Sequence, residues 1–313
     1  MISARLDPSL SVRVVERREL RYDAALGRQA GTGWVRAGSA LARVGKRLVI
    51  VQDDALWLAW WNESGQLALQ ALPSEDGQRL FDDKQRKPDF EAALVVAGQL
   101  LVFGSGSLTT RERVAVVNEA GEARLVPARE LYEGLRRYAG AEHALNVEGA
   151  LLDGDAVVLY SRGNAAALDA TGFDVSVEVS ATELVRYFAS PSVSTVPSLA
   201  KLQHYRLGDV GGVRLTVTDV ALRSGRRWFI GAAEASPDAI ADGVVVATSF
   251  GVLDGDPRYA LIEAEDGSLW RDKVEGLAPG ATDDEWLAVT DPDDASRPAE
   301  LLTLRVQSTG IEK

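Results

Sequence analysis

Five short phrases of this sequence place an oxygen-bearing side chain a few residues ahead of a turn glycine. They are Ser39 before Gly45, Glu91 before Gly98, Glu148 before Gly154, Asp219 before Gly225 and Glu275 before Gly280. Each phrase reads as a small or acidic residue, a short apolar run, the glycine, then an apolar run ending in polar residues. Four carboxylates and a hydroxyl brought together from five directions repel one another and lose solvation, unless a proton or a cation compensates. Nothing basic recurs at the same position, so a bound cation is the expected remedy. Oxygen-only ligation of variable geometry suits Ca²⁺, which takes about 6–8 oxygens at about 2.3–2.6 Å; Mg²⁺ demands a stricter octahedron, and zinc wants His or Cys. Ser39, Glu91, Glu148, Asp219 and Glu275 are therefore the expected metal ligands, and Ca²⁺ the expected ion.

The apolar runs after the glycines end in a second polar set: Gln52-Asp53-Asp54, Gly104-Ser105-Gly106-Ser107, Ser161-Arg162-Gly163-Asn164, Glu234 and Asp291. Arg111 and Arg162 offer guanidinium forks for phosphate or carboxylate. The glycines of GSGS leave backbone N–H groups free to approach an anion. Glu234 or Asp53 would position water as general base, with Arg162 polarising the substrate. Ser105, Ser107, Arg111, Asn164 and His204 would line the substrate pocket. GSGS is no P-loop, since no Lys-Ser/Thr follows, and neither His143 nor His204 accompanies a G-x-S-x-G nucleophile elbow.

The elements that must carry these residues are short apolar runs rich in β-branched and aromatic residues, among them RLVIVQ, LWLAWW, QLLVF, AVVLY and VRLTV. Turn-forming glycines separate them, as in antiparallel hairpins. Two segments read as helices: 127–140, with apolar residues at helical spacing and a terminal glycine, and 180–188, opened by a Ser180/Glu183 capping box. The five turn glycines lie 53, 56, 71 and 55 residues apart, the period of a four-stranded propeller blade. The expected fold is all-β: a single five-bladed β-propeller over residues 1–313, blades starting near 34, 88, 145, 213 and 272, with short helical insertions. The last blade is one strand short, and a strand over 11–20 is expected to complete it and hide the edges.

The chain has 313 residues, no Cys, two His, 34 Lys+Arg and 46 Asp+Glu. Disulfide scaffolds, thiolate metal sites and cysteine nucleophiles are excluded. A net charge of −12 argues against nucleic acid as a partner and is compatible with cation binding. No stretch approaches the roughly 20 apolar residues that span a bilayer, and the N-terminus lacks an apolar signal region. A cytoplasmic protein is expected, or an exported one whose leader has been removed; a monomer acting on a small anionic molecule, without membrane, is the expectation for partners.

The phrases KPDFEAALVVAGQLLVFGSGS with RERVAVV, LNVEGALL with SRGN, LTVTDVAL with GAAEAS, ADGVVVATSFGVLD and KVEGLA resemble an uncharacterised bacterial propeller family, a domain of unknown function, over residues 35 to 290. A more distant resemblance is to the calcium-activated nucleotidases (apyrases), five-bladed propellers with one Ca²⁺ in the tunnel. That resemblance implies one ligand per blade: Ser39, Glu91 in DFEAA, Glu148 in VEGA and Glu275 in KVEGLA match its pattern. Asp219 departs from it, standing where the fourth apyrase blade carries Ser, and the nucleobase-contacting segments are not found here. Two readings follow. One is a Ca²⁺-dependent hydrolase of a phosphate or other ester; the other is a non-catalytic ligand- or protein-binding propeller whose Ca²⁺ ties the blades together.

Overall fold

The computed structural model describes residues 1–140, 145–163, 172–235 and 243–308. The β-branched runs form antiparallel sheets, and the described helices are few: Ala24–Ala30, Arg129–Ala139 and Ala181–Ala189, with two 3₁₀ turns. The strands fall into consecutive units of four. The first holds Gly38–Val44, Arg47–Gln52, Trp57–Trp61 and Leu67–Ala71; the second Phe90–Val96, Gln99–Gly104, Arg113–Val117 and Ala123–Pro127. The third holds Val147–Asp153, Ala156–Ser161, Asp174–Ser180 and Leu199–Arg206; the fourth Val213–Arg223, Arg226–Ala235, Val244–Val252 and Arg258–Glu263. In the fifth, Lys273–Pro279, Glu285–Asp291 and Glu300–Ser308 are followed by Leu10–Glu19 from the other end of the chain, antiparallel to Glu300–Ser308.

Turn chemistry sets the register of the first hairpin in four units. A two-residue turn joins Val44 to Arg47, Val96 to Gln99, Asp153 to Ala156 and Arg223 to Arg226. Ala97 and Gly98 have φ of 46° and 74°, and Ser224 and Gly225 have 53° and 68°. Both central residues in the left-handed region make a turn whose twist matches the strands. Glycine is the first turn residue in the first and third units and the second in the second and fourth.

The first strands of the units pack side by side in a closed cycle: the first against the second, on through the fifth, and the fifth back against the first. Five apolar clusters fill the spaces between consecutive units. Val49, Leu58 and Val102 lie between the first two, while Leu41, Ile50, Val289 and Leu301 lie between the fifth and the first. The approach is close at the axis: a Cβ on Gly276 would stand 2.8 Å from the Ala40 backbone. Among the described residues, no helix is long and apolar enough to cross a membrane.

The helices cover flanks of the ring. Ser180 caps Ala181–Ala189 by accepting from the Glu183 N–H, but the Glu183 carboxylate accepts from the Ser198 N–H, so the reciprocal half of the expected capping box is absent. The helix Ala24–Ala30, capped by Asp23, has no counterpart in the sequence expectation because seven residues are too short to show a clear helical period.

Leu10–Glu19 buries Leu10, Val12 and Val14 and lies between Glu300–Ser308 and the parallel edge of Arg258–Glu263. Burying each such side chain is worth about 1.5–3 kcal/mol, so three approach a large fraction of the roughly 5–15 kcal/mol by which domains are stable. Removal of residues 1–19 should abolish the cooperative melt and give aggregates on size exclusion, because two strand edges are bared. A truncated chain that stays monodisperse with an unchanged melt would show the strand to be dispensable.

Candidate metal centre

Each first strand carries a one-residue irregularity in the same place. The pairing skips from Gly38 to Ala40, Phe90 to Ala92, Val147 to Gly149, Val217 to Asp219 and Val274 to Gly276. A β-bulge leaves one residue unpaired and re-aims its side chain. The five residues so released are Ser39, Glu91, Glu148, Thr218 and Glu275, all buried. The fourth is Thr218, where the sequence reading named Asp219. Measured to the first turn residue, the bulge is six residues away in each of the first four units, but glycine takes the second turn place in the fourth. Counting back from the glycine therefore lands one residue late.

Glu91, Glu148 and Glu275 bring one oxygen each to within 4.8 Å of one another. Glu91 Oε2 and Glu148 Oε2 are buried without a hydrogen-bond partner. The two hydroxyls act as matched clamps: Ser39 Oγ donates to the Phe90 carbonyl beside Glu91, and Thr218 Oγ1 donates to the Val274 carbonyl beside Glu275, at 2.6 Å. Each hydroxyl oxygen keeps lone-pair capacity after that donation. Asp219 has another task. Its Oδ1 accepts from the Val220 N–H and its Oδ2 from the Leu277 N–H, both at 2.7 Å, which ties the fourth unit to the fifth. Burial pushes its carboxyl well above the usual range.

Nothing basic recurs at the five positions themselves, but cations from other positions reach the ring. Lys273 Nζ lies 2.6 Å from Glu275 and 3.8 Å from Glu234; Arg162 lies 2.8 Å from Glu234 and 3.7 Å from Glu148. Lys87 contacts Asp53 and lies 2.9 Å from Asp89, which Arg111 also meets at 2.8 Å. These cations come from strand entries and second-strand ends, so comparing the five bulge positions alone does not find them. Lys87 stands four residues before Glu91, and Lys273 two residues before Glu275. The six carboxylates of Asp53, Asp89, Glu91, Glu148, Glu234 and Glu275 thus face the four cations Lys87, Arg111, Arg162 and Lys273, and buried Asp291 adds a further acid facing Glu275 and Asp53, so buried acids outnumber the cations beside them. Burial, with Asp89, Glu275 and Glu148 adding to it, pushes Glu91 well above the usual carboxylate range. Burial takes Glu275 to about 8 against the pull of Lys273. Protons or a divalent cation would offset the excess, and an all-oxygen set with two unpartnered carboxylate oxygens fits a hard divalent ion.

The structure places the other sequence candidates as follows. Glu234 is buried, and although burial raises it, Lys273 and Arg162 hold it at about 2, with the Gly243 N–H donating at 2.8 Å. A carboxylate held that low is a poor general base. Arg162 is committed to Glu234, Glu148 and Thr216 Oγ1. Ser105, Ser107 and Arg111 form a closed network around Asp89: Ser105 Oγ and Arg111 Nη1 donate to Asp89, and Arg111 donates to Ser107 Oγ at 2.7 Å. Of the GSGS amides, the Ser105 N–H donates to the Asp89 carbonyl and the Ser107 N–H to Ser105 Oγ. His204 lies on Leu199–Arg206, the fourth strand of its unit, away from the inner strands. Asn164 and His143 lie outside the described residues.

Asp53 does face solvent-accessible space. A cleft of about 200 Å³ opens between the first and fifth units, lined by Arg36, Asp53, Asp54, Asp82, Lys84, Lys87, Asp291, Asp293 and Asp294. The group there that sequence reading passed over is Asp54. Its Oδ2 accepts from Arg36 Nε at 2.7 Å while Oδ1 has no partner. Burial and neighbouring Asp53 push it up to about 7 despite Arg36.

Thr218→Val should weaken Ca²⁺ binding about tenfold in titration calorimetry, whereas Asp219→Asn should leave the affinity within about twofold and lower the melting temperature, since an Asn nitrogen cannot accept from both backbone N–H groups. Reversed effects would return the ligand role to Asp219. With burial pushing Glu275 up to about 8, a Ca²⁺ bound there would compete with a proton, and its affinity should fall as the pH drops below about 8. A pH-independent affinity would contradict this.

No curated protein matches the chain. Among solved structures, a gluconolactonase from Xanthomonas campestris is 11% identical with a TM-score of 0.44, covering 96% of this chain and 100% of its own. Virginiamycin B lyase from Staphylococcus aureus is 8% identical with a TM-score of 0.42, covering 95% and 99%. The PQQ-bound aldose sugar dehydrogenase from Streptomyces coelicolor is 12% identical with a TM-score of 0.42, covering 95% and 98%. Likenesses this shallow bring no activity to the present chain. The bulged first strands and their carboxylates all lie within residues 34–306, which match a family of unknown function (DUF6929), and the chain belongs to that family.

Proposed function

We propose that the chain is a five-bladed β-propeller that holds one divalent cation, Ca²⁺, on its axis and hydrolyses a phosphate or other ester of a small anionic molecule. The observation that carries this reading is the trio Glu91, Glu148 and Glu275 with two buried, unpartnered oxygens, Glu91 Oε2 and Glu148 Oε2. Ser39 and Thr218 complete the ligand set. Glu91, Glu148 and Glu275 would hold the cation, which when bound would supply Lewis-acid polarisation. The cleft beside Asp53 would admit the substrate, and Asp54, which lines the cleft and is fixed through Oδ2 by Arg36, is the candidate general base. A carboxylate poised near 7 suits a base working at neutral pH better than Glu234 does.

A second reading is a binding propeller in which the cation only ties the units together. Its support is that Arg111, Arg162 and Glu234 are all engaged by internal partners.

A panel of phosphate and carboxylate esters, assayed with Ca²⁺ and with chelator, separates the two. Ca²⁺-dependent turnover should rise with pH through about 7 as Asp54 loses its proton, and Asp54→Asn should lower kcat by about 10²–10⁴ without changing Ca²⁺ affinity. Since the ion binds only the folded ring, a hundredfold excess over Kd should add about 2.7 kcal/mol of stability. Stabilisation by Ca²⁺ without cleavage of any ester would favour the binding reading; equal melts in Ca²⁺ and chelator would defeat both.

A further inference from the structure

A second set of carboxylates meets the first at Glu91. Asp53, Asp89 and Glu91 bring one oxygen each to within 4.8 Å of one another, as Glu91, Glu148 and Glu275 do. All of these residues are buried, and Glu91 Oε2, in a side chain more than nine-tenths buried, has no hydrogen-bond partner. One carboxylate common to two oxygen clusters is the arrangement that bridges paired metal ions, which lie about 3.5–4 Å apart in two-metal sites. The clusters differ in what compensates them. Around Asp53 and Asp89 an ammonium is already seated: Lys87 Nζ contacts Asp53 and lies 2.9 Å from Asp89. Lys87 and Asp53 both line the cleft, so this cluster is reached from solvent on that side.

We propose that the axis has two cation positions sharing Glu91, and that the Lys87 ammonium permanently occupies the second. The protein then takes one divalent metal where its carboxylates alone would take two. The inference rests on the axial-metal reading and adds a determinant of stoichiometry to it. An ammonium brings one charge and three donors and cannot be lost to a chelator, whereas a divalent ion in its place would bring two charges and open coordination. Arg111 and the Ser105 hydroxyl hold Asp89 from its other side, so removal of Lys87 leaves that carboxylate in position.

The test is the number of Ca²⁺ ions bound by metal-stripped protein, counted by native mass spectrometry and elemental analysis. Wild type should bind one, Lys87→Met two, and Lys87→Arg, which keeps the charge, one. Adding Asp53→Asn to Lys87→Met should return the count to one. In chelator the Lys87→Met protein should melt below wild type, and Ca²⁺ should close that gap. Should Lys87→Met not fold even with Ca²⁺, Lys87→Gln carries the same count. One ion in wild type and still one in the variant overturns the role of Lys87, as does a wild type that binds two. No ion in wild type but one in the variant overturns the axial reading while leaving the second position standing. No ion in either overturns both.

Discussion

The burial of more negative than positive charge on the axis is the constraint on which this structure turns. Six carboxylates and four cations lie within mutual reach, and water is largely excluded from them. Such networks are weak sources of stability, because desolvation consumes most of the Coulombic gain. The ionisable groups assembled in this interior leave two carboxylate oxygens unbonded, and on those oxygens the metal proposal rests. Protons can fill that role only by leaving Glu91 and its neighbours neutral, whereas a divalent cation uses them all ionised.

The remainder of the architecture serves that arrangement. A bulge at the same place in each first strand turns one side chain inward, and tight packing at Gly276 keeps the strands close enough for those side chains to meet. Ser39 and Thr218 hold the carbonyls beside Glu91 and Glu275, so the hydroxyls fix the backbone that carries the acids. Asp219 and Asp174 tie neighbouring units through backbone N–H groups. Asp174 accepts from Gly163 and, across to the fourth unit, from Val217. The apolar clusters between units make the ring, but these polar links set the axial geometry.

Much of this was legible in the sequence, for identifiable reasons. Strands of period two, hairpin glycines and their spacing mark an all-β repeat, and the acids of DFEAA, VEGA and KVEGLA could be picked out because each stands directly before a short run of small and apolar residues. Thr218 was not named because the residue directly before the apolar run of the fourth unit is Asp219, and the bulge falls one position earlier. A hydroxyl beside a carboxylate also draws less notice than the carboxylate itself. The compensating Lys87, Arg111, Arg162 and Lys273 were not legible as partners, since pairing between residues of different units is decided by packing. For the same reason Glu234 reads as a candidate base in the sequence and proves to be an ion-paired anion held at about 2, while the near-neutral Asp54 arises from burial beside Asp53.

The central claim is a single divalent cation among Glu91, Glu148 and Glu275. Its most direct test is anomalous diffraction from crystals of the wild-type protein soaked in a lanthanide substitute for Ca²⁺ and refined against a metal-free control. The account requires one axial peak with oxygens of the three glutamates at about 2.3–2.6 Å and the Ser39 and Thr218 hydroxyls beside them. An axis without a peak, in which Glu91 and Glu148 share protons and hydrogen-bond to each other, would contradict it.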